Sequence, residues 1–212
     1  LLTLFASFTI IAGSVLALAQ SNLKLRLAYS TVSQLSYIVL GGALATSAGV
    51  LGGGMHIAMH AFGKITLFFC AGAIFVATGK KNISEMTGIG RRMPVTMTAF
   101  FIGALSIIGM PPCGGFLSKW YLVLGALEAD KIAILVVLLF SSLLNAGYFM
   151  PVVYRAFFCP PEEALFEARV QEAPLCCVVP LVITAVISII LLFYPQPFMN
   201  LAAMAAAKFT GL

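Results

Sequence analysis

Residues 54–78 read GMHIAMHAFGKITLFFCAGAIFVAT, 25 residues with a single formal charge, Lys64. About 20 apolar residues cross the hydrocarbon core of a bilayer as a helix, so this stretch predicts a membrane-spanning helix. Its polar members are ordered. His56, His60 and Lys64 stand at i, i+4 and i+8 and share one helix face.

The rest of the chain agrees with a bilayer as solvent. Of 212 residues, 61% are hydrophobic and 9% charged, with a mean hydropathy of +1.08; soluble domains carry roughly 25% charged residues. A water-soluble globule and a disordered chain are both excluded. Apolar runs of spanning length fall at about 1–19, 27–47, 54–78, 94–127, 131–154 and 175–194. None alternates with the strand period, which excludes a β-barrel. The expectation is an all-α membrane protein of six transmembrane helices, one of them discontinuous, followed by a short tail over 195–212. Leu1 lies inside an apolar run with no initiator Met, basic n-region or cleavage site, as expected for part of a longer membrane protein.

Twelve Lys+Arg against seven Asp+Glu leave a net charge of +5. Lys24, Arg26, Lys80, Lys81, Arg91, Arg92, Arg155 and Arg169 fall to the first, third and fifth connections, and only Lys131 and Lys208 to the other side. The positive-inside tendency then puts those three connections in the cytoplasm. Divided among short loops, the basic residues do not make a nucleic-acid face. Cys70, Cys113, Cys159, Cys176 and Cys177 show no CxxC spacing and no His at ligand distance, and read as small membrane-core residues.

Two lysines, Lys64 and Lys119, are left inside spans. A Lys at the bilayer centre costs ~2.5–3.5 kcal/mol on insertion scales and is retained where it meets a partner or water. No acidic residue lies in any of the six spans. Compensation must come from water, polar side chains or other parts of the protein. His56 and His60 beside Lys64 suggest a proton relay; a set without an acidic ligand, flanked by Met55 and Met59, does not suggest zinc.

The fourth span, VTMTAFFIGALSIIGMPPCGGFLSKWYLVLGAL over 95–127, holds Gly109, Pro111, Pro112, Gly114 and Gly115 in its middle. Proline removes amide donors and glycine relaxes the backbone, so the helix should break there. Broken helices in membranes line ion and substrate sites. Lys119 follows the break, next to Ser118. In the second span Ser30, Ser33, Gln34 and Tyr37 follow i, i+3, i+4 and i+7, a face that packs on another helix or lines a polar path. Ser141, Ser142, Asn145 and Tyr148 form a weaker patch in the fifth span, which reads as helix packing. The connection RAFFCPPEEALFEARVQEAP over 155–174 predicts a short surface helix from Pro161, with Glu162 and Glu163 at its N-terminus and Leu165, Phe166, Arg169 and Val170 at near-helical spacing.

Three ordered stretches, LKLRLAYSTVSQLSYIVLG over 23–41, HIAMHAFGKITLFFCAGA over 56–73 and GMPPCGGFLSKWYLVLGAL over 109–127, resemble the antiporter-like subunits shared by Mrp-type cation/proton antiporters, energy-converting hydrogenases and respiratory complex I. The wording SKWYLVLGALEA and SSLLNAGYFMPVVYRAFF looks most similar to D-type Mrp subunits. The resemblance implies the C-terminal part of a subunit of about fourteen helices, its second inverted repeat plus one helix, in a bacterial or archaeal cell membrane. It gives Lys119 the role of the broken-helix lysine at a proton half-channel, and Lys64, His60 and His56 that of the His-preceded lysine. A further Lys and Glu pair of the family would lie upstream of Leu1. Gly63 stands where the family usually has an aromatic residue, which implies looser packing around Lys64.

The leading expectation is therefore a proton-translocating subunit of a multisubunit Na+ or K+/proton antiporter, embedded in lipid among other membrane subunits. The alternative is the proton-pumping subunit of a NADH:quinone oxidoreductase or hydrogenase. There is no GxGxxG, no cysteine cluster for iron–sulfur ligation and no His pair spaced for haem, so the chain is expected to carry no cofactor and not to be catalytic on its own.

Overall fold

A computed structural model of the chain describes residues 1–160 and 170–210. The described residues form helices α1 (Leu2–Ala19), α2 (Leu23–Leu44), α3 (Ser47–Thr78), α4 (Ile89–Arg92), α5 (Pro94–Ile108), α6 (Gly115–Glu128), α7 (Ile132–Phe158), α8 (Leu175–Phe193) and α9 (Gln196–Thr210), with one 3₁₀ turn at Ile83–Met86. Helices α1, α2, α3, α7 and α8 are long and apolar enough to cross a membrane. A sixth crossing is split between α5 and α6.

The helices begin and end where local chemistry dictates. Asn22 caps α2 by accepting from Leu25 N–H at 3.2 Å, and Thr46 caps α3 by accepting from Gly49 N–H at 3.1 Å. The Glu128 carboxylate accepts from Ala48 N–H at 3.2 Å, a negative charge at the positive end of α3. Gly79, at φ +70°, stops α3. These caps lie outside the apolar runs, so α2 starts at residue 23 rather than 27 and α3 at 47 rather than 54, and α7 continues to 158. Beyond Pro195, where the sequence suggests only a tail, α9 forms and packs on α3, with Ala202 against Gly54 and Phe198 against Phe62. Residues 161–169 of the surface helix expected from Pro161 to Val170 lie outside the described residues, and Val170 itself is not helical.

Helix α3 is the axis of the bundle and packs against α2, α5, α6, α8 and α9. At 32 residues it is about 48 Å long, more than the hydrocarbon core requires. Its contact with α6 is close enough to admit only glycine at Gly52, where a Cβ would lie 2.7 Å from Leu122 N and 2.9 Å from Tyr121 C. Membrane helices gain their association from such close backbone approach, because lipid supplies no hydrophobic drive between them.

The three basic connections meet at one end. Leu23 N–H donates to Lys81 O at 3.0 Å and Ile83 N–H to Ser21 O at 2.9 Å, tying the first connection to the third. Gly88 N–H donates to Arg155 O at 3.0 Å, bringing in the end of α7. Glu172 accepts from Val95 N–H at 2.7 Å and from the Thr96 hydroxyl at 2.6 Å, capping α5. Glu85 accepts from the amides of Asn82 and Lys81, which hold its carboxyl below the usual carboxylate range.

Gly52→Ala should push α3 and α6 apart and cost about 1–3 kcal/mol, read as a lowered melting temperature of the complete protein in detergent. Gly72→Ala, whose Cβ meets nothing within 4 Å, should melt as the parent does.

Candidate functional site

The break in the fourth span runs from Gly109 to Gly114, between α5 and α6. Gly109 adopts φ +85°, and its N–H closes α5 on Leu105 O at 2.9 Å. Pro111 and Pro112 cannot donate, so the chain leaves the helix. Gly114 N–H then donates to Ser188 O of α8 at 2.9 Å, which fixes the break against a neighbouring helix. A Cβ at Gly114 would meet Met59 Sδ at 2.7 Å, so α3 closes the other side, and a Cβ at Gly115 would strike Ser106 O of α5.

Lys119 stands on the second turn of α6, 8% exposed. Its ammonium donates to Ile108 O at 3.1 Å and to Ser142 Oγ at 3.2 Å, and lies 4.8 Å from the centroid of the Tyr37 ring. Ile108 O belongs to the last turn of α5, whose unpaired carbonyls carry the negative end of the helix dipole. Breaking the helix thus creates the partner that the buried lysine needs. A cleft of about 480 Å³, lined by Tyr37, Met110, Trp120, Leu139 and Ser142 among others, opens beside Lys119.

Lys64, 4% exposed, donates to Leu27 O at 3.1 Å and to Ser30 Oγ at 2.7 Å. Ser30 Oγ pairs at 2.7 Å with the hydroxyl of Tyr148, which in turn donates to Asn145 Oδ1. Phe149 lies 5.5 Å below the ammonium. Among the described residues no ion pair reaches either lysine. The expectation of loose packing at Gly63 is corrected here: a Cβ there would lie 3.0 Å from Ile107 Cδ1 and 3.1 Å from Ser106 Oγ. Glycine lets α5 close on α3.

The histidine face fills the space between the lysines. His56 places Nδ1 2.9 Å from Ser118 Oγ and Nε2 3.2 Å from Gln34 Oε1. Its ring stacks on Tyr37 at 5.5 Å and on His60 at 5.8 Å. His60 lies within electrostatic reach of both Lys64 and Lys119, and its Nε2 has no protein partner. The side-chain amide nitrogens of Gln34 and Asn145 and the hydroxyl of Ser106 are also buried without a protein partner. Such groups are met by water in protein interiors, each with two to four polar neighbours.

Among the residues singled out in the sequence, Lys64, His60, His56, Gln34, Tyr37, Ser30, Ser118 and Lys119 come together on α2, α3 and α6. Ser33 turns instead toward α1, sharing a hydrogen bond of 2.9 Å with Ser14 and donating to Ile10 O. The patch on α7, which by sequence reads as helix packing alone, brings Tyr148 and Ser142 within hydrogen-bond reach of the site. The i, i+1, i+4 and i+7 spacing of Ser141, Ser142, Asn145 and Tyr148 is the available signal. Arg26, a loop charge by the apolar pattern, is in α2 and 9% exposed. It donates to Gln20 O, Leu18 O and Tyr148 O at 2.6, 3.2 and 2.8 Å, satisfying the end of α1.

Fold and site define an integral multi-pass membrane protein in which a broken helix and an unbroken one carry buried cations to a shared polar interior. Residues 1–145 match the family described as NADH:quinone oxidoreductase/Mrp antiporter, TM, and the chain belongs to that family. It is 41% identical over 206 residues to NADH-quinone oxidoreductase subunit N of Desulforudis audaxviator, covering 92% of this chain and 41% of that protein. It is 31% identical to the D-type subunit of the Na(+)/H(+) antiporter of Alkalihalophilus pseudofirmus, covering 97% of this chain and 41% of the relative. In structure it superposes on a chain of the Mrp complex from Dietzia sp. with a TM-score of 0.88 and 26% identity, covering 98% of this chain and 46% of the other. The chain thus spans less than half the length of the relatives it matches.

Gly109→Ala should force a left-handed backbone on alanine and drive its Cβ to 2.6 Å from Lys119 Cδ. A cost of roughly 1–2 kcal/mol for the backbone alone should appear as a lower melting temperature.

Proposed function

We propose that this chain forms the proton-conducting part of a subunit in a membrane-bound redox complex of the NADH:quinone oxidoreductase type. The observation that carries this reading is the pair of buried lysines, each held by a carbonyl and a hydroxyl, with histidines and tyrosines between them. An amine with a carbonyl and a hydroxyl for partners can hold a proton as ammonium and release it without leaving a carboxylate unpaired. A neutral imidazole carries one donor and one acceptor nitrogen; Gln34 Oε1 only accepts, so His56 donates to it from Nε2 and offers Nδ1 to the Ser118 hydroxyl, while His60, whose Nε2 has no protein partner, is the imidazole open to take up a proton and pass it on. Hydroxyls of Ser30 and Tyr148 relay by rotation. Protons would move between Lys64 and Lys119 along this interior and leave when a neighbouring charge changes.

The 41% identity to an N-type oxidoreductase subunit, against 31% to a D-type antiporter subunit, supports the redox complex as the setting. In that case redox groups belong to other subunits, and none of the chemistry of this chain requires one. The second reading is a multisubunit cation/proton antiporter, in which Na+ or K+ exchange replaces electron transfer as the driving reaction; it is supported by the fold shared with the Mrp complex. In either setting the partners are other membrane subunits, and the basic connections face the cytoplasm.

The intact complex, purified in mild detergent, should show flavin and iron–sulfur absorption co-eluting with this chain. A colourless assembly of membrane subunits would favour the antiporter. In everted vesicles, Lys119→Ala in the complete protein should lower proton translocation by about 10²-fold; full activity at normal expression would overturn the role of Lys119. His60→Ala should slow transport by a smaller factor, and Tyr148→Phe should slow it with a stability loss of about 1 kcal/mol from the missing hydrogen bond. Unchanged rates in both would confine the path to the lysines.

A further inference from the structure

We propose that the cleft between the start of α2 and the end of α3 binds the phosphodiester headgroup of an anionic phospholipid. The cleft, about 300 Å³, has an apolar floor of Leu23, Ala71, Phe75 and Met86 and a rim of Lys24, Lys80 and Lys81. The ammonium of Lys24 lies 4.9 Å and that of Lys81 5.0 Å from the centroid of the same Phe75 ring. Two like charges, one from the first turn of α2 and one from the connection after α3, are thus gathered over one aromatic side chain, an arrangement whose repulsion an anion would relieve. Lys80 donates to Glu85 O at 2.6 Å, which sets a third cation on the rim.

The acidic side chain of this connection is already held. Glu85 accepts from Asn82 N–H at 2.8 Å and Lys81 N–H at 3.1 Å and lies within electrostatic reach of Lys80, so the paired ammonium groups over Phe75, those of Lys24 and Lys81, are the charges that face an anion in the cleft. The first turn of α2, a helix of 22 residues, opens there at Leu23 and adds the positive end of its dipole.

A lipid, rather than a free anion, is indicated by what continues from the rim. Phe68, Gly72 and Phe75 recur at i, i+4 and i+7 on α3 and form one face. Both phenylalanines are exposed, and nothing lies within 4 Å of a Cβ built on Gly72. This makes a shallow apolar track, flanked by two rings, leading from the lysines toward the middle of the membrane. Headgroup charge at one end and acyl chain along the other is the complement of that surface, and basic pockets between membrane helices recognise anionic lipids in this way.

The test uses the complete protein in its native complex, exchanged into phosphatidylcholine with increasing phosphatidylglycerol, with bound lipid read by native mass spectrometry. Phosphatidylglycerol should be retained in preference to phosphatidylcholine. The double substitution Lys24→Gln and Lys81→Gln should weaken that preference about tenfold, while Lys208→Gln at the far end of the chain leaves it intact. Equal retention by the parent and the double variant would overturn the site. Displacement of the lipid by an equal concentration of inorganic phosphate would overturn the lipid in favour of a free anion. Should the double variant fail to assemble, the parent alone decides: retention must fall as salt rises, and retention independent of salt would overturn the proposal.

Discussion

Three buried cations, Arg26, Lys64 and Lys119, are compensated without a single carboxylate among the described residues, and the architecture is arranged around that constraint. Each is met by backbone carbonyl oxygens. For Arg26 these are Leu18 O and Gln20 O at the end of α1 and Tyr148 O of α7; for Lys119, the end of α5 together with a serine; for Lys64, a carbonyl inside α2 together with a serine. Helix ends carry unpaired carbonyls and partial negative charge. A chain that stops a helix inside the bilayer therefore has a site for a cation. A carboxylate would hold an ammonium more tightly, but would itself be left buried and charged once the proton departed. Carbonyls carry no such liability, and this suits groups proposed to gain and lose protons.

The break between α5 and α6 is held from two sides. Ser188 O takes the amide of Gly114, and Met59 and Leu191 close over the same glycine. The half-helices are thereby fixed relative to α3, the helix that carries Lys64 and both histidines. Ser118, next to Lys119, reaches His56, so the broken and unbroken helices share one polar interior. Tyr37 contributes its ring to both, stacked on His56 and facing the ammonium of Lys119. The glycines that line α3 are what bring these helices close enough for side chains as short as serine to bridge them.

Much of the fold is legible because a bilayer simplifies the code. Uninterrupted apolar runs must be helices, since every backbone polar group has to be satisfied internally, and the proline–glycine cluster marks the break at its observed position. Helix starts are less legible: Asn22 and Thr46 cap from polar positions just outside the apolar runs. The tail after Pro195 carries no clear reading because alanine-rich sequence is equally at home in a helix or a loop until a neighbour such as α3 is there to pack against.

The residue types and their helical spacing, readable from the chain alone, settled that this is an all-α membrane protein with lysines and histidines on defined helix faces. Spacing places a side chain on its own helix. It cannot say which other helix that face meets, because contacts between α2, α3, α6 and α7 join residues far apart in the chain. Only the tertiary structure could bring Tyr148 to Ser30, Ser142 to Lys119 and Arg26 to the carbonyls of α1, and only it could show that the carbonyls freed by a broken helix serve as the counter-charge the sequence lacks.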